Sequence, residues 1–229
     1  MLRGVLFQWY GTFRVVERGK RNMNIGIVGA GRIGSSVAKL FAQAGHHVVV
    51  SHSGDPQALA PVVAEVGHGV EARTSGEAVT FGDIVVLAIP WSRRHDLPNS
   101  QLFANRIVID AINPFDENGK IVNLGASTSS QEISKIVPEA RLVKAFNTLN
   151  FQTLRDGGRS SHEDRLVLFL AGDDSQAKEV VARLIEEVGY AAVDSGFLAE
   201  GGRRQQPGSP IFNVPMTVDE ARRRMTSLA

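Results

Sequence analysis

The sequence contains no cysteine in 229 residues. That one absence excludes disulfides, thiol nucleophiles, iron–sulfur clusters and thiolate zinc sites. Any redox chemistry must then be carried by a dissociable cofactor. An excess of charge of one sign is lacking too: 25 Lys and Arg stand against 24 Asp and Glu, a formal net charge of +1, and the basic residues are dispersed. Such a balance builds no field to gather nucleic acid or an anionic membrane, so neither is expected as a partner. No apolar run approaches the roughly 18 residues of a membrane span, and a soluble, cytoplasmic protein is expected. Hydrolytic motifs are missing as well. Without H-E-x-x-H, G-x-S-x-G or clustered carboxylates, metal-assisted hydrolysis and acyl transfer have no candidates, and no metal is expected. His46 and His47, adjacent on an expected strand, point to opposite faces and read as structural.

What is present is organised around Asn24 to Ser36, N-I-G-I-V-G-A-G-R-I-G-S-S. Ile25, Ile27 and Val28 suit a buried parallel strand, and Ile33, Val37, Leu40, Phe41 and Ala44 follow at helical spacing. Between them stand Gly29, Gly31 and Gly34 in the pattern G-x-G-x-x-G. The first glycine would permit the tight turn, the second lets a pyrophosphate approach the backbone, and the third lets the helix pack closely on the strand. The helix N-terminus then offers free N–H groups to the anion, so a dinucleotide is the expected ligand.

A second strand is expected over His47 to Ser51. NAD-selective versions of this motif carry an acid about 20 residues past the glycines to bind the ribose hydroxyl. From His46 to Gly54 there is none. Ser51, His52 and Ser53 offer hydroxyl and imidazole donors instead, and Arg32 could face a 2′-phosphate, which favours NADP. Asp55 before Pro56 reads as an N-cap with proline at the first helical position.

Further strands are expected at Val70 to Arg73, Asp83 to Pro90, Ile107 to Ala111, Leu142 to Phe146, Leu166 to Ala171 and Tyr190 to Asp194. Capping boxes at Thr74/Glu77, Ser129/Glu132 and Thr217/Glu220 open helices, and Asp174 caps another that Gly189 stops. Asp219 with Arg223 and Glu220 with Arg224 stand four apart, as an ion-paired, solvated helix face would place them. Strand and helix alternate, so the expected fold is α/β, a Rossmann-type doubly wound and mostly parallel sheet with a small C-terminal α/β appendage. Its division would be 1–22 as an extension outside the fold, 23–147 as the dinucleotide-binding domain and 148–229 as the appendage. The segment from Gly196 to Pro210 has a loop composition too polar to bury and suits a lid.

Ligands of such sheets bind beyond the strand C-termini. Ile89, Pro90 and Trp91 sit at one such end, Asn113-Pro114 at the next, and Asn147-Thr148 at a third. Trp91 reads equally as a half-buried anchor or as a nicotinamide-side contact. His95 is the one histidine near that crevice, and a surface position is preferred to a proton donor. Hydride transfer between two stacked rings depends chiefly on positioning, which suits a crevice without an evident acid or base.

Taken together, the turn, D-I-V-V-L-A-I-P-W, I-D-A-I-N-P, V-K-A-F-N-T-L, A-G-D-D and S-G-F-L-A-E-G-G-R resemble the NADPH-dependent coenzyme F420 reductase family from Met23 onward. The resemblance implies a Rossmann fold and reversible hydride transfer between NADPH and the deazaflavin F420. It matches Gly29, Ala30, Gly31, Arg32, Ile33 and Gly34 to the pyrophosphate turn, Ser53 to a 2′-phosphate ligand, and Pro90 and Trp91 to the nicotinamide side. It departs at one place, where the family commonly has Ser-Arg and this chain has Ser53-Gly54. The expected partner is a small-molecule hydride acceptor, docked between Pro90-Trp91, Asn113-Pro114, Asn147-Thr148 and the 196–202 loop, with a homodimer left open. Arg93, Arg94, Arg203 and Arg204 are candidates to meet the acceptor's acidic tail, or else solvated charges. Two other readings stand beside this one, a reductase of imines, carbonyls, quinones or flavins and a non-catalytic NADP sensor.

Overall fold

The computed structural model describes residues 22–159, 161 and 164–226, and the reading of residues 1–21 as an extension lies outside them. Each apolar run becomes a strand and each amphipathic stretch a helix laid back across it. The order is β1 (Asn24–Val28), α1 (Arg32–Gln43), β2 (His47–Ser51), α2 (Ala60–Val66), β3 (Glu71–Ala72), α3 (Ser75–Phe81), β4 (Ile84–Leu87), β5 (Ile107–Asp110), α4 (Ser129–Ile136), β6 (Arg141–Ala145), α5 (Phe151–Asp156), β7 (Val167–Gly172), α6 (Ser175–Glu187), β8 (Ala191–Asp194), α7 (Glu200–Arg204) and α8 (Val218–Thr226). Short 3-10 turns occur at Pro56–Leu59, Trp91–Asp96 and Ser100–Phe103. No helix among the described residues is long and apolar enough to cross a membrane.

The strands form one sheet in the order β3-β2-β1-β4-β5-β6-β7-β8. Every residue of β4 and β5 is buried, as a strand covered on both faces requires. Ile25, Ile27, Val50, Ile84 and Val86 face the layer built from α1 and α6, while Val28, Val85, Leu87 and Val108 face Val79 of α3 and Ile133 of α4. At about 1.5–3 kcal/mol for each fully buried aliphatic side chain, these two layers dominate the favourable side of folding.

Strands β1 to β6 run parallel and β7 opposes β6, with Val143 opposite Gly172, while β8 runs parallel to β7. Helix α5, six residues long, lies between these two strands in the chain and packs on α1. Residues 148–226 thus extend the same sheet.

Three local expectations are corrected. Helix α4 is capped by Thr128, not Ser129: the Thr128 hydroxyl accepts from Gln131 N–H at 3.2 Å and the Gln131 side chain accepts from Thr128 N–H at 2.9 Å. Ser129 and Ser130 fall inside the first turn and are buried. The segment from Gly196 to Pro210 is not an unburied loop, since it contains α7, whose Gly201 and Gly202 are buried. A Cβ at Gly201 would stand 2.7 Å from Ala171 Cβ, so glycine lets the backbone lie on the sheet. Two of its side chains reach back to the end of the sheet, Arg204 donating to Ser195 O at 2.8 Å and Gln205 to the Ser195 hydroxyl at 2.8 Å. On α8 the Glu220 carboxylate accepts from the Thr217 N–H at 2.8 Å and from its hydroxyl at 3.1 Å, and Asp219 faces Arg222 at 3.7 Å in place of the expected Arg223.

Asp174 caps α6 by accepting from Ala177 N–H at 3.0 Å and receives Arg141 Nε at 2.5 Å. The Arg141 guanidinium, with that cap bond, lowers its carboxyl pKa to about 2. A depressed pKa stabilises the fold fully above the unfolded value near 4 and loses that contribution as pH falls through about 2. Asp174→Ala should therefore cost about 1 kcal/mol near neutral pH. In urea unfolding the gap from the parent protein should narrow between about pH 4 and pH 2.

Candidate functional site

The turn after β1 is built by steric exclusion. Gly29 has φ of +110°, a region that disfavours side chains, and a Cβ there would stand 2.3 Å from Ala88 O. Its N–H donates to Ser51 O at 2.9 Å, tying it to the end of β2. A Cβ at Gly34 would lie 1.8 Å from Gly29 O, so only glycine lets α1 begin directly on the turn. Gly31 is different, for nothing lies within 4 Å of where its Cβ would be. As the N-cap of α1 it supplies no side-chain hydrogen bond, and the first turn carries no acid. Unfilled N–H groups and open space together make a seat for an anion.

Beside this seat lies a cavity of about 370 Å³. Val28, Gly29, Ala30 and Gly31 form its floor; His52, Ser53, Leu59 and Ser75 form one wall, and Ala88, Ile89, Pro90, Arg93, Asp96 and Leu97 the other. Its one lining acid, Asp96, is hydrogen-bonded by Arg93 Nε. No free carboxylate thus stands where a ribose hydroxyl pair would be read. The residues present fit a dinucleotide bearing a 2′-phosphate.

Gly29, Ala30, Gly31, His52, Ser53, Ile89 and Pro90 are thus brought together, with Gly34 packed beneath. Other candidates do not line this cavity. Arg32 lies over the Phe151 ring at 5.1 Å and, with Lys39 and Arg155, lines an adjoining groove that shares Ala30 and Gly31 with it. Ile33 packs, half-buried, on the sheet core. Ser51 is fully buried and its hydroxyl donates to Ile27 O at 3.0 Å, which makes it a strand-to-strand tie. Trp91 is an anchor in the core, with Arg94 stacked on its ring at 4.4 Å and donating to its carbonyl at 3.0 Å. His95 is exposed.

The next two strand ends are joined to each other. Asn113 Nδ2 donates to Asn147 O at 3.0 Å, and Asn147 Nδ2 donates to Asn113 Oδ1 at 3.1 Å and to Gln205 O at 2.9 Å. Pro114 is buried beside them. Phe146, fully buried, holds φ of +62°, a costly conformation for a bulky residue and one that turns Asn147 out of the strand alternation. Asn147 Oδ1, Thr148 Oγ1, Gln205 Oε1 and Ser209 Oγ are buried without a hydrogen-bond partner. Arg203 and Arg204 border a second cavity of about 460 Å³ with Ala199, Glu200 and Ser209, and each guanidinium also holds a carbonyl, of Ala126 and Ser195 respectively.

Sequence reasoning missed a buried ion pair. Asp110 and Lys144 face each other in register on β5 and β6, both fully buried, with Nζ 3.2 Å from Oδ2. Asp110 also accepts from Ile112 N–H at 2.9 Å and from the Ser130 hydroxyl at 2.7 Å, while Lys144 donates to Ile112 O. Burial lowers the lysine pKa and the neighbouring carboxylate opposes that shift. Both carbonyl and N–H of Ile112 are held, which pins the strand end just before Asn113. The signal was available as a charge at an inward position of two apolar strands. Asp96 and Ser75 were likewise not read as lining residues, and Arg93, expected to meet the acceptor's tail, lines the cavity over Gly29–Gly31.

The family model described as NADP oxidoreductase, coenzyme F420-dependent, matches residues 24–114. A hypothetical protein of Sinorhizobium meliloti superposes with a TM-score of 0.77 at 35% identity, covering 86% of this chain and 96% of that one. The chain belongs to the coenzyme F420-dependent NADP oxidoreductase family. Another member, from Arthrobacter and proposed to be an F420-dependent NADP-reductase, gives a TM-score of 0.69 at 27% identity, covering 79% of this chain and 88% of that one. Among curated proteins, Metalloreductase STEAP3 of Rattus norvegicus is 27% identical over 204 residues, 88% of this chain and 39% of the relative. The chain therefore spans between a third and two fifths of the length of the curated relatives it matches.

Two pairs of substitutions test this geometry. Gly31→Ala should leave the melting temperature near that of the parent while weakening dinucleotide binding at least about tenfold, roughly 1.4 kcal/mol, whereas Gly34→Ala should lower the melting temperature outright. Lys144→Met should cost about 3–5 kcal/mol in denaturant unfolding by stranding a buried carboxylate. Adding Asp110→Asn should recover most of that loss, and no recovery would show that the two side chains do not act as a pair.

Proposed function

We propose that this protein passes a hydride between NADPH, seated in the cavity over Gly29–Gly31, and a planar deazaflavin of the F420 type lying toward Asn113, Asn147 and Thr148. The observation that carries the reading is the pairing of an open helix N-terminus at Gly31 with a β2 end that has His52 and Ser53 and no free acid. The anion seat suits the pyrophosphate, and the donors suit a 2′-phosphate. Ile89 and Pro90 extend the cavity toward the neighbouring strand ends, where the nicotinamide would lie.

The bound dinucleotide supplies the hydride, and the deazaflavin takes up that hydride and one further proton. The protein's part is positioning. The Asp110–Lys144 pair and the Asn113–Asn147 amide exchange fix two strand ends relative to each other, so the acceptor meets a prearranged surface. Family membership supports the NADP-dependent oxidoreductase class, and the proposed role of the Arthrobacter relative supports the deazaflavin. Arg203 and Arg204, on the rim of the second cavity, suit the phosphate and glutamyl tail of F420.

Purified protein should bleach oxidised F420 when NADPH is added, and NADH should serve at least about tenfold less well, a difference of roughly 1.4 kcal/mol. Replacing Arg203 and Arg204 together should raise KM for F420 and leave KM for NADPH nearly unchanged. If free flavins, quinones or ferric chelates are reduced readily and F420 is not, the acceptor assignment is wrong and the nucleotide site alone stands.

A further inference from the structure

The loop after β2 carries one side chain that can change charge near neutral pH, and its own backbone sets its position. His52 Nδ1 accepts from Gly54 N–H at 3.2 Å, and Nε2 lies 2.8 Å from Asp55 O. An amide N–H only donates and a carbonyl only accepts, so the ring here is neutral with its hydrogen on Nε2. A Cβ at residue 54 would stand 2.7 Å from His52 Cε1 and 3.2 Å from Nδ1. This placement of the imidazole and a side chain at 54 exclude each other. Glycine clears the place that the ring takes in the cavity wall beside Ser53 and Ser75, and the Ser75 hydroxyl steadies the His52 carbonyl at 3.1 Å.

We infer that His52 distinguishes phosphorylated from unphosphorylated dinucleotides, and that it does so in its protonated form, so that NADP preference is linked to pH. The inference rests on the nucleotide placement proposed above. A proton on Nδ1 leaves the Nε2–Asp55 bond intact and breaks only the bond from Gly54. Nδ1–H and Gly54 N–H then become two donors for one anion, with the Ser53 hydroxyl beside them. A 2′-phosphate rewards that change with a charge-assisted contact, and a plain ribose hydroxyl does not.

The surrounding charges have partners of their own. Asp55 accepts from Gln57 N–H at 2.9 Å, Glu71 holds Arg73 at 2.7 Å, Glu77 accepts from the Thr74 hydroxyl at 2.6 Å, and across the cavity Asp96 holds Arg93. None of these carboxylates or guanidiniums ordinarily changes charge between about pH 6 and pH 8. His95 sits exposed on the Trp91–Asp96 turn and outside the cavity lining. The 2′-phosphate has its own second ionisation near pH 6, which weakens binding below that value. Because the phosphate contact needs the proton on Nδ1, the affinity for NADP is greatest where the imidazole is charged and falls as pH rises, by at most about tenfold per unit.

The test is calorimetric titration of the full chain with NADP⁺ and with NAD⁺ at about pH 6, 7 and 8. The ratio of the two dissociation constants should favour NADP at least about tenfold more at pH 6 than at pH 8. In His52→Gln, which keeps polar groups but cannot become a cation, that ratio should change less than about twofold over the same range. His52→Arg should restore the preference and make it independent of pH. A parent protein that prefers NADP equally at every pH, or a His52→Gln variant with the parent's profile, would overturn the inference and leave the proposed function in place. Preference for NAD at every pH would overturn both.

Discussion

The architecture of the site depends on one close approach, that of helix α1 to the end of β1. With Gly29 O only 1.8 Å from where a Gly34 Cβ would stand, the helix begins on the strand's own turn with no intervening side chain. Gly29 is tied to β2 through Ser51 O, and the next strand joins through Ala88 N–H to Val28 O at 2.8 Å. The N–H groups of the first turn therefore open over the seam where β2, β1 and β4 end. A wider approach would move the anion seat away from His52 and Pro90 and divide the cavity.

Further along the sheet the constraint is electrostatic. A buried Asp110–Lys144 pair adds little net stability compared with well-packed apolar residues, but its four hydrogen-bond partners come from the turn after β5 and the first turn of α4. It converts two strand ends and a helix start into one rigid unit. The strained backbone of Phe146 and the unpaired oxygens of Asn147, Thr148 and Gln205 lie at the edge of that unit. Strain and unsatisfied polarity thus sit beside the end of β6, a local cost in stability that the surrounding packing offsets.

Periodicity and glycine spacing made the parallel half of the sheet legible, because its first turns carry residues whose chemistry is local: Gly45, Asp55-Pro56 and Thr74. Properties set by distant neighbours were not legible. The direction of β7 shows only in its pairing with β6, where Val143 stands opposite Gly172. Arg32 follows the motif glycine, and the ring face that its guanidinium lies over belongs to Phe151, 119 residues further along. Composition likewise misjudged the 196–210 segment, whose glycines and arginines look solvated but fold against Ala171 and Ser195. Asp110 and Lys144 each look anomalous alone and become intelligible only in register.

The central claim is the course of the dinucleotide across the strand ends, and a crystal structure of the protein with NADP⁺ tests it most directly. The account predicts the pyrophosphate on the N–H groups at the start of α1 beside Gly31, the 2′-phosphate within hydrogen-bond distance of His52 or Ser53, and the nicotinamide beyond Pro90 toward Asn113 and Asn147. A nucleotide bound with its phosphates in the Arg203–Arg204 cavity, or with its adenosine at Asn147 and its nicotinamide at His52, would contradict it.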